Sequence, residues 1–333
     1  MKALSYIRPS TAGQAIEAFA AAGEGARYIA GGTNLYDLMK LGIERPTHLI
    51  DIASLEGSDR IDTSGDRLYF GAGALMADIA EDEVVLRDYP VLAESLSKAA
   101  SQQLRNMASV GGNLLQRTRC PYFRNGANGW YPCNKREPGS GCAAIGGLDR
   151  SQAVLGVSDA CTAVSPGDWP VALTVLDATI EVQSLNGARV LPISELYLPP
   201  GETPHLEFTI GPEEIVTGIA VPKTAAGRNS TYLKVRDRES YAFALASAAV
   251  ALDMDGDRVR QAHVALGGLA TRPWRAQETE ALLQGKPLTR ELALDAARAA
   301  FASARPGQHN AFKIELGVRT IADAVMNAGS KNR

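Results

Sequence analysis

The chain has 333 residues, 45% of them hydrophobic, and 34 Lys and Arg against 37 Asp and Glu leave a net charge of −3. That length buries a sizeable core in two or three domains, and balanced charge without a basic block excludes an electrostatic footprint for nucleic acid. Apolar runs such as VALTVLDA are far too short to span a bilayer.

The N-terminal MKALSYIRPS lacks the apolar stretch of a signal peptide, so folding in the cytoplasm is expected. ALSYI reads as a strand, and Pro9-Ser10 leads into a helix through AIEAFAAAG that stops at its glycine. RYIAGG is a second strand, Thr33 is placed to cap a helix through LYDLMKLG, and THLIDI is a third strand. LYFGAGA is strand-like, ALMADIAED helical, and VLAESLSKAASQQL a longer amphipathic helix. A loop-rich insert follows, about 117–161. Beyond it DWPVALTVLDA predicts a helix, ATIEVQS a strand and LPISELYLPP a loop. NSTYLKVR, FALASAAVALDM and RVRQAHVALGGL predict three strands, the last two joined at Asp255-Gly256. Helical stretches close the chain in ATRPWRAQETEALLQGK, ELALDAARAAFASA and AFKIELGVRTIADAVMN. The change of pattern places a domain boundary near residue 225, between 1–225 and 226–333.

Two glycine pairs share a pattern, AGGTNL at 30–35 and SVGGNLL at 109–115. Glycine lets backbone N–H groups approach a ligand closely, and exposed N–H groups beside a helix start suit a pyrophosphate. Each pair alone also reads as a tight turn. No G-x-G-x-x-G opens a βαβ run, which argues against a Rossmann site.

The four cysteines, Cys120, Cys133, Cys142 and Cys161, all lie in or beside the insert, spaced C-x12-C-x8-C-x18-C. In a reducing compartment such a cluster points to a metal centre rather than to disulfides. The spacing is that of neither a zinc ribbon nor a compact ferredoxin. Four thiolates are nevertheless the ligand set of a [4Fe–4S] cube, with zinc or unligated thiols as the other readings. Pro121, Gly126, Gly129, Pro132, Pro138, Gly139 and Gly141 suit a wrapped loop, and Arg117, Arg119, Arg124, Lys135 and Arg136 offer positive charge that would raise a cluster's potential. The histidines, His48, His205, His263 and His309, have no metal spacing, and no G-x-S-x-G or H-E-x-x-H is present. The absence of a hydrolytic constellation suits a cofactor carrier, which orients and tunes rather than attacks.

IAGGTNLYDLMK, QLRNMASVGGNLLQRTRCPYF, PCNKREPGSGCAA, KVRDRESYAFALASAAVAL and VALGGLATRPWRA give the chain its family character. Through them it resembles, over nearly its whole length, the FAD-binding subunits of the molybdenum hydroxylases (the xanthine and carbon monoxide dehydrogenase family), in particular the aldehyde oxidoreductase branch. The resemblance implies an α+β fold: a vanillyl-alcohol-oxidase-type FAD domain of two α/β subdomains, then a CO-dehydrogenase-flavoprotein-like domain with a three-stranded antiparallel sheet and helices. It implies that Ala30, Gly31, Gly32, Thr33, Asn34 and Leu35 wrap the FAD pyrophosphate and that Ser109, Gly111, Gly112 and Asn113 form a second clamp. Asp168 falls where the family binds the nucleotide end, Val216 toward the adenine and Lys234 near the flavin ring. Asp168 reads equally as a helix N-cap, and Lys234 as a solvated strand lysine. The aldehyde oxidoreductase branch carries a [4Fe–4S] cluster in this insert, which assigns the four cysteines as its ligands.

The implied role is an FAD-carrying electron-transfer subunit of a heterotrimer. A large molybdenum-cofactor subunit oxidises an aldehyde to a carboxylic acid, a small [2Fe–2S] subunit relays electrons to FAD, and an external acceptor takes them. The complex is periplasmic if a partner's twin-arginine signal exports it. A stand-alone flavin oxidase of the same fold and a non-redox zinc-loop protein are the alternatives.

Overall fold

The computed structural model describes residues 3–125 and 129–331, so Gly126 of the expected loop turns lies outside the described residues. Near the N-terminus, β1 (Ser5–Ile7), β2 (Ala26–Ile29) and β3 (His48–Asp51) form a parallel sheet in the order β1-β3-β2. Parallel strands need crossovers, and the helix Ala12–Ala22 supplies the one from β1 to β2, with β3 lying between them. Thr11 caps it by accepting from the Gln14 N–H at 3.3 Å, Gly23 ends it at φ 65°, and Ala15, Ile16 and Phe19 form its buried face. The expected cap at Thr33 is displaced by one residue. Asn34 occupies that position before the helix Leu35–Lys40, and its side chain makes no capping bond.

The long helix expected over 91–104 is two helices, Pro90–Ser97 and Gln102–Arg105. Ala100 takes φ 48°, and Ser101 opens the second helix by accepting from the Leu104 N–H at 3.4 Å. A serine able to cap competes with helix continuation, and apolar periodicity alone does not reveal that competition.

The second sheet contains β4 (Ile61–Asp62), β5 (Arg67–Gly71), β6 (Thr179–Ser184), β7 (Gly187–Pro192) and β8 (Ile215–Pro222), ordered β4-β5-β8-β6-β7 with antiparallel pairs throughout. Two of these strands correct the sequence reading. β8 lies at the centre of the sheet, yet its segment IVTGIAVP carries no apolar–polar alternation because it is buried almost throughout. β7 and the short helix Ile193–Leu196 occupy much of the expected loop 191–200. The β6–β7 hairpin turns through Leu185 and Asn186, with Gly187 at φ 108°.

The third sheet, β12-β11-β10-β9, comprises β9 (Ser230–Val235), β10 (Ala246–Asp255), β11 (Arg258–Gly267) and β12 (Trp274–Arg275). It has four strands, not three. The added edge is the Trp274–Arg275 pairing with Leu266 and Ala265, in a stretch expected to be helical; the helix begins only at Gln277. Pro273 disfavours helical geometry immediately before it. The hairpin at Asp255 forms as expected, with Gly256 at φ 60°. The helix Phe312–Ser330 packs Ile321 and Val325 into a core with Leu252 and Val264. Among the described residues no helix is long and apolar enough to cross a membrane.

Candidate cofactor sites

The two glycine pairs meet. β2 ends at Ile29 and delivers the 30–35 turn against Met107, so close that a Cβ on Gly31 would strike the Met107 carbonyl oxygen. The second turn is stitched to 72–76: the Gly111 N–H donates to Ala72 O at 2.8 Å, Val110 N–H to Ala74 O at 2.9 Å and Met76 N–H to Ala108 O at 3.0 Å. A Cβ on Gly111 would lie 2.7 Å from Ala72 Cβ. Ser109 caps the helix Val110–Leu114 by accepting from the Gly112 N–H at 3.3 Å. Glycine is required here for close approach of backbone to backbone.

Ala30 to Leu35, together with Ser109, Gly111, Gly112 and Asn113, line one cavity of about 1060 Å³, and Val216 and Lys234 complete its wall. That volume lies at the upper end for ligand sites, as an extended dinucleotide requires. Asn34 Oδ1 and Asn113 Oδ1, both buried, have no hydrogen-bond partner. Buried polar atoms are normally satisfied, so these two acceptors, one on each turn, call for a hydrogen-bond donor that the protein itself does not supply.

Asp168 stands apart from the other expected site residues. Its carboxylate is not on the cavity wall and makes no helix cap. Instead it accepts from the Tyr232 hydroxyl at 2.6 Å and pairs with Lys234 Nζ at 2.8 Å. The Lys234 and Asp168 side chains are 1% and 7% exposed, and Lys234 also donates to Lys98 O at 3.0 Å. Burial, and then the Asp168 charge, push the Tyr232 hydroxyl well above its ordinary range. Lys234 is therefore a fixed, paired cation rather than a solvated one.

Three parts of the wall escaped the sequence reading. Ser58 buttresses the glycines of GAG, its carbonyl accepting from the Gly73 N–H at 2.8 Å. Tyr241, at φ 52°, and Phe243 close another side, with the Arg119 guanidinium 4.8 Å over the Phe243 ring. Glu44, Arg117 and Glu207 form the third: Arg117 bridges Glu44 at 2.7 Å and Glu207 at 2.6 Å. Glycine spacing and the quoted SYAF marked the first two regions. Nothing local marks a carboxylate partner far along the chain.

All four cysteines are free and face one small enclosed space of about 10 Å³, walled also by Phe123, Asn134, Lys135 and Gln152. Asn134 ties the arms together, accepting from the Gly141 N–H at 2.7 Å and donating to Ala160 O at 3.1 Å. An antiparallel bridge pairs Cys133 with Cys142. Burial raises the Cys120 thiol and pushes Cys161 up to about 11. Among the described residues no group of three or more His, Cys, Asp or Glu is placed to hold a single metal ion. Three buried polar atoms on the insert and its flank, Arg124 Nη1, Gln152 Oε1 and Thr162 Oγ1, also lack partners.

The positive charge around the cysteines is partly matched. Lys135 pairs with Glu207 at 3.0 Å, Arg119 and Arg124 both pair with Asp37, and Arg136 donates to backbone carbonyls of Tyr122, Phe123 and Tyr131. Glu207 thus joins Arg117 on the large cavity to Lys135 on the cysteine cavity.

Comparison with known proteins agrees with this geometry. The family described as the FAD binding domain in molybdopterin dehydrogenase matches residues 2–224, and the CO dehydrogenase flavoprotein C-terminal domain matches 231–328. The aldehyde oxidoreductase FAD-binding subunit PaoB of Escherichia coli (strain K12) is 46% identical over 331 residues, covering 98% of this chain and 99% of that protein. The carbon monoxide dehydrogenase medium chain of Hydrogenophaga pseudoflava is 26% identical, covering 91% and 88%. The solved carbon monoxide dehydrogenase of Hydrogenophaga pseudoflava superposes with a TM-score of 0.77 at 24% identity over 99% of this chain and 98% of that one. Two family models that together span most of the chain, and a relative 46% identical over nearly its full length, show that the chain belongs to the FAD-binding subunits of the molybdenum hydroxylases.

Proposed function

We propose that this FAD-binding subunit carries electrons within a molybdenum-dependent aldehyde oxidoreductase, alongside a small [2Fe–2S] subunit and a large molybdenum subunit. The observation that carries this reading is the convergence of both glycine turns, with Asn34 and Asn113 unpartnered, on one cavity. Bound FAD would supply the change between two-electron and one-electron transfer. Residues 30–35 hold the pyrophosphate through backbone N–H groups, the 109–113 turn closes on it from the other side, Val216 packs the nucleotide side, and Lys234 lines the wall with its ammonium paired to Asp168. No general base is needed, because the aldehyde is oxidised on the partner subunit. The boundary near residue 225 belongs to this reading, with the cavity mostly in the first domain and Lys234 contributed by the second.

The four cysteines are the ligands of a [4Fe–4S] cluster in the same reading. Four free thiols on one buried space, with unpartnered polar atoms around them, support it. A single zinc ion would hold its thiolates about 3.8 Å apart, from a Zn–S bond near 2.3 Å, whereas a cube presents its irons at wider corners. Binding would organise the loop, as metals do in segments with little regular structure.

Rapid mixing with an aldehyde tests the role. Flavin absorbance should bleach in the assembled complex and stay unchanged in the isolated chain. Bleaching in the isolated chain would show a self-sufficient oxidase and overturn the proposal.

A further inference from the structure

Gln152 lies outside the ligand set, yet its side chain reaches the cysteine space. Its Nε2 stands 3.5 Å from Cys120 Sγ, the residue is 1% exposed, and its Oε1 has no partner. Among the described residues it is the side chain that donates to a cysteine sulfur; Cys161 Sγ receives the backbone N–H of Ala163 at 3.4 Å.

The position of Gln152 is set from both sides. Its own N–H donates to Asp149 O at 2.8 Å. Its carbonyl accepts from Lys313 Nζ at 2.9 Å and from Asn310 Nδ2 at 3.4 Å. Lys313 also donates to Gly268 O at 2.7 Å, tying the C-terminal helix to the residue that follows β11. Asp149 in turn accepts from the Gln308 and His309 N–H groups at 2.7 and 2.8 Å. The amide is thus aimed at Cys120 by a clamp from the C-terminal domain, not by the loop that bears the cysteine.

We infer that Gln152 is a positioning residue for the iron–sulfur site, donating an N–H···S hydrogen bond to Cys120 that raises the cluster's reduction potential. This rests on the [4Fe–4S] reading of the four cysteines. The electrostatics are direct. Reduction adds negative charge that spreads onto the ligand sulfurs, and a donor aimed at one of them stabilises the reduced form more than the oxidised form. The opposite amide orientation would turn a carbonyl oxygen toward an anionic cluster, which repulsion disfavours. With Lys135 paired to Glu207 and Arg119 and Arg124 sharing Asp37, part of the surrounding positive charge is already offset, and this neutral donor adds to what remains. Second-sphere partners of this kind orient and tune metal ligands generally.

The test is an EPR-monitored redox titration of the assembled complex, comparing wild type with Gln152→Leu and Gln152→Glu, with iron, sulfide and flavin assayed on each sample. The expected result is full iron in all three. The cluster potential falls in Gln152→Leu and falls further in Gln152→Glu, while the flavin potential stays in place. An unchanged cluster potential in an iron-replete Gln152→Leu complex overturns the inference and leaves the cluster reading intact. A wild-type chain with all four cysteines and no iron overturns both. Should either variant lose iron, wild-type complex with the heavy nitrogen isotope in its glutamine amides decides by pulsed EPR. A nitrogen coupling on the reduced cluster that disappears in a Gln152→Asn complex supports the bond, and its absence from wild type refutes it.

Discussion

Asp168→Ala should destabilise the fold strongly although the residue touches no cavity surface. Its carboxylate satisfies two buried donors, Lys234 Nζ at 2.8 Å and the Tyr232 hydroxyl at 2.6 Å. Removing one partner of a buried ion pair costs about 3–5 kcal/mol, and an orphaned buried hydroxyl accounts for about 1–3 kcal/mol of such a loss. Lys234 keeps its bond to Lys98 O, which places the expected loss toward the lower end, about 3 kcal/mol. Lys234→Met should cost a similar amount, since it leaves the carboxylate with only Tyr232. Asp168→Ala combined with Lys234→Met removes both charges together, which leaves no uncompensated buried ion, so the double variant should recover about 2 kcal/mol or more of the summed losses. Guanidinium unfolding midpoints of the four proteins, with flavin content measured beside them, complete the cycle. Purely additive losses, or single changes each below about 0.5 kcal/mol, would refute the pairing as the reason these residues are buried together.

Gly31→Ala should lower flavin occupancy severely, because its Cβ drives into the Met107 carbonyl and separates the two turns; flavin absorbance per chain checks it. Cys161→Ser should abolish bound iron while leaving flavin content near wild type, as assayed on the anaerobically purified chain. Arg117→Met leaves Glu44 and Glu207 without their shared cation, so both flavin and iron retention should fall, whereas a loss of neither would show the link between the cavities to be inert. The Glu94 carboxyl titrates below its ordinary value: burial alone would raise it, but bonds from Lys331, the Tyr232 N–H, Lys98 and Thr231 outweigh that. A depressed carboxyl contributes stability that is present above the unfolded value near 4.5 and lost as pH falls through the folded one. Glu94→Gln should therefore flatten the acid limb of the stability–pH curve measured by chemical denaturation.

The glycine pairs were legible because close backbone approach is a property of the residue itself, and the four cysteines because thiolate chemistry is. What they lacked was distance: that Gly31 abuts Met107 follows from how β2 and the 107–112 segment cross, which no local pattern encodes. Asp168 illustrates the opposite failure. An aspartate before a helix invites a cap or a ligand, yet its partners come from β9, more than sixty residues on, and the ion pair appears only when that strand packs beside it. β8 escaped because a strand buried almost throughout shows no alternation, and β12 because a two-residue edge exists only through its neighbour. The basic residues of the insert were visible, but their neutralisation was not, since Asp37 and Glu207 reach them from far along the chain.

Cofactor stoichiometry of the full chain, purified anaerobically without partner subunits, bears most directly on the central claim. The cavity and the thiol ring predict one FAD, four irons and four acid-labile sulfides per polypeptide, with the visible absorption of both centres. A flavin-free chain would contradict the assignment of the cavity, and a chain with flavin but without iron, or with zinc in its place, would contradict the assignment of the cysteines.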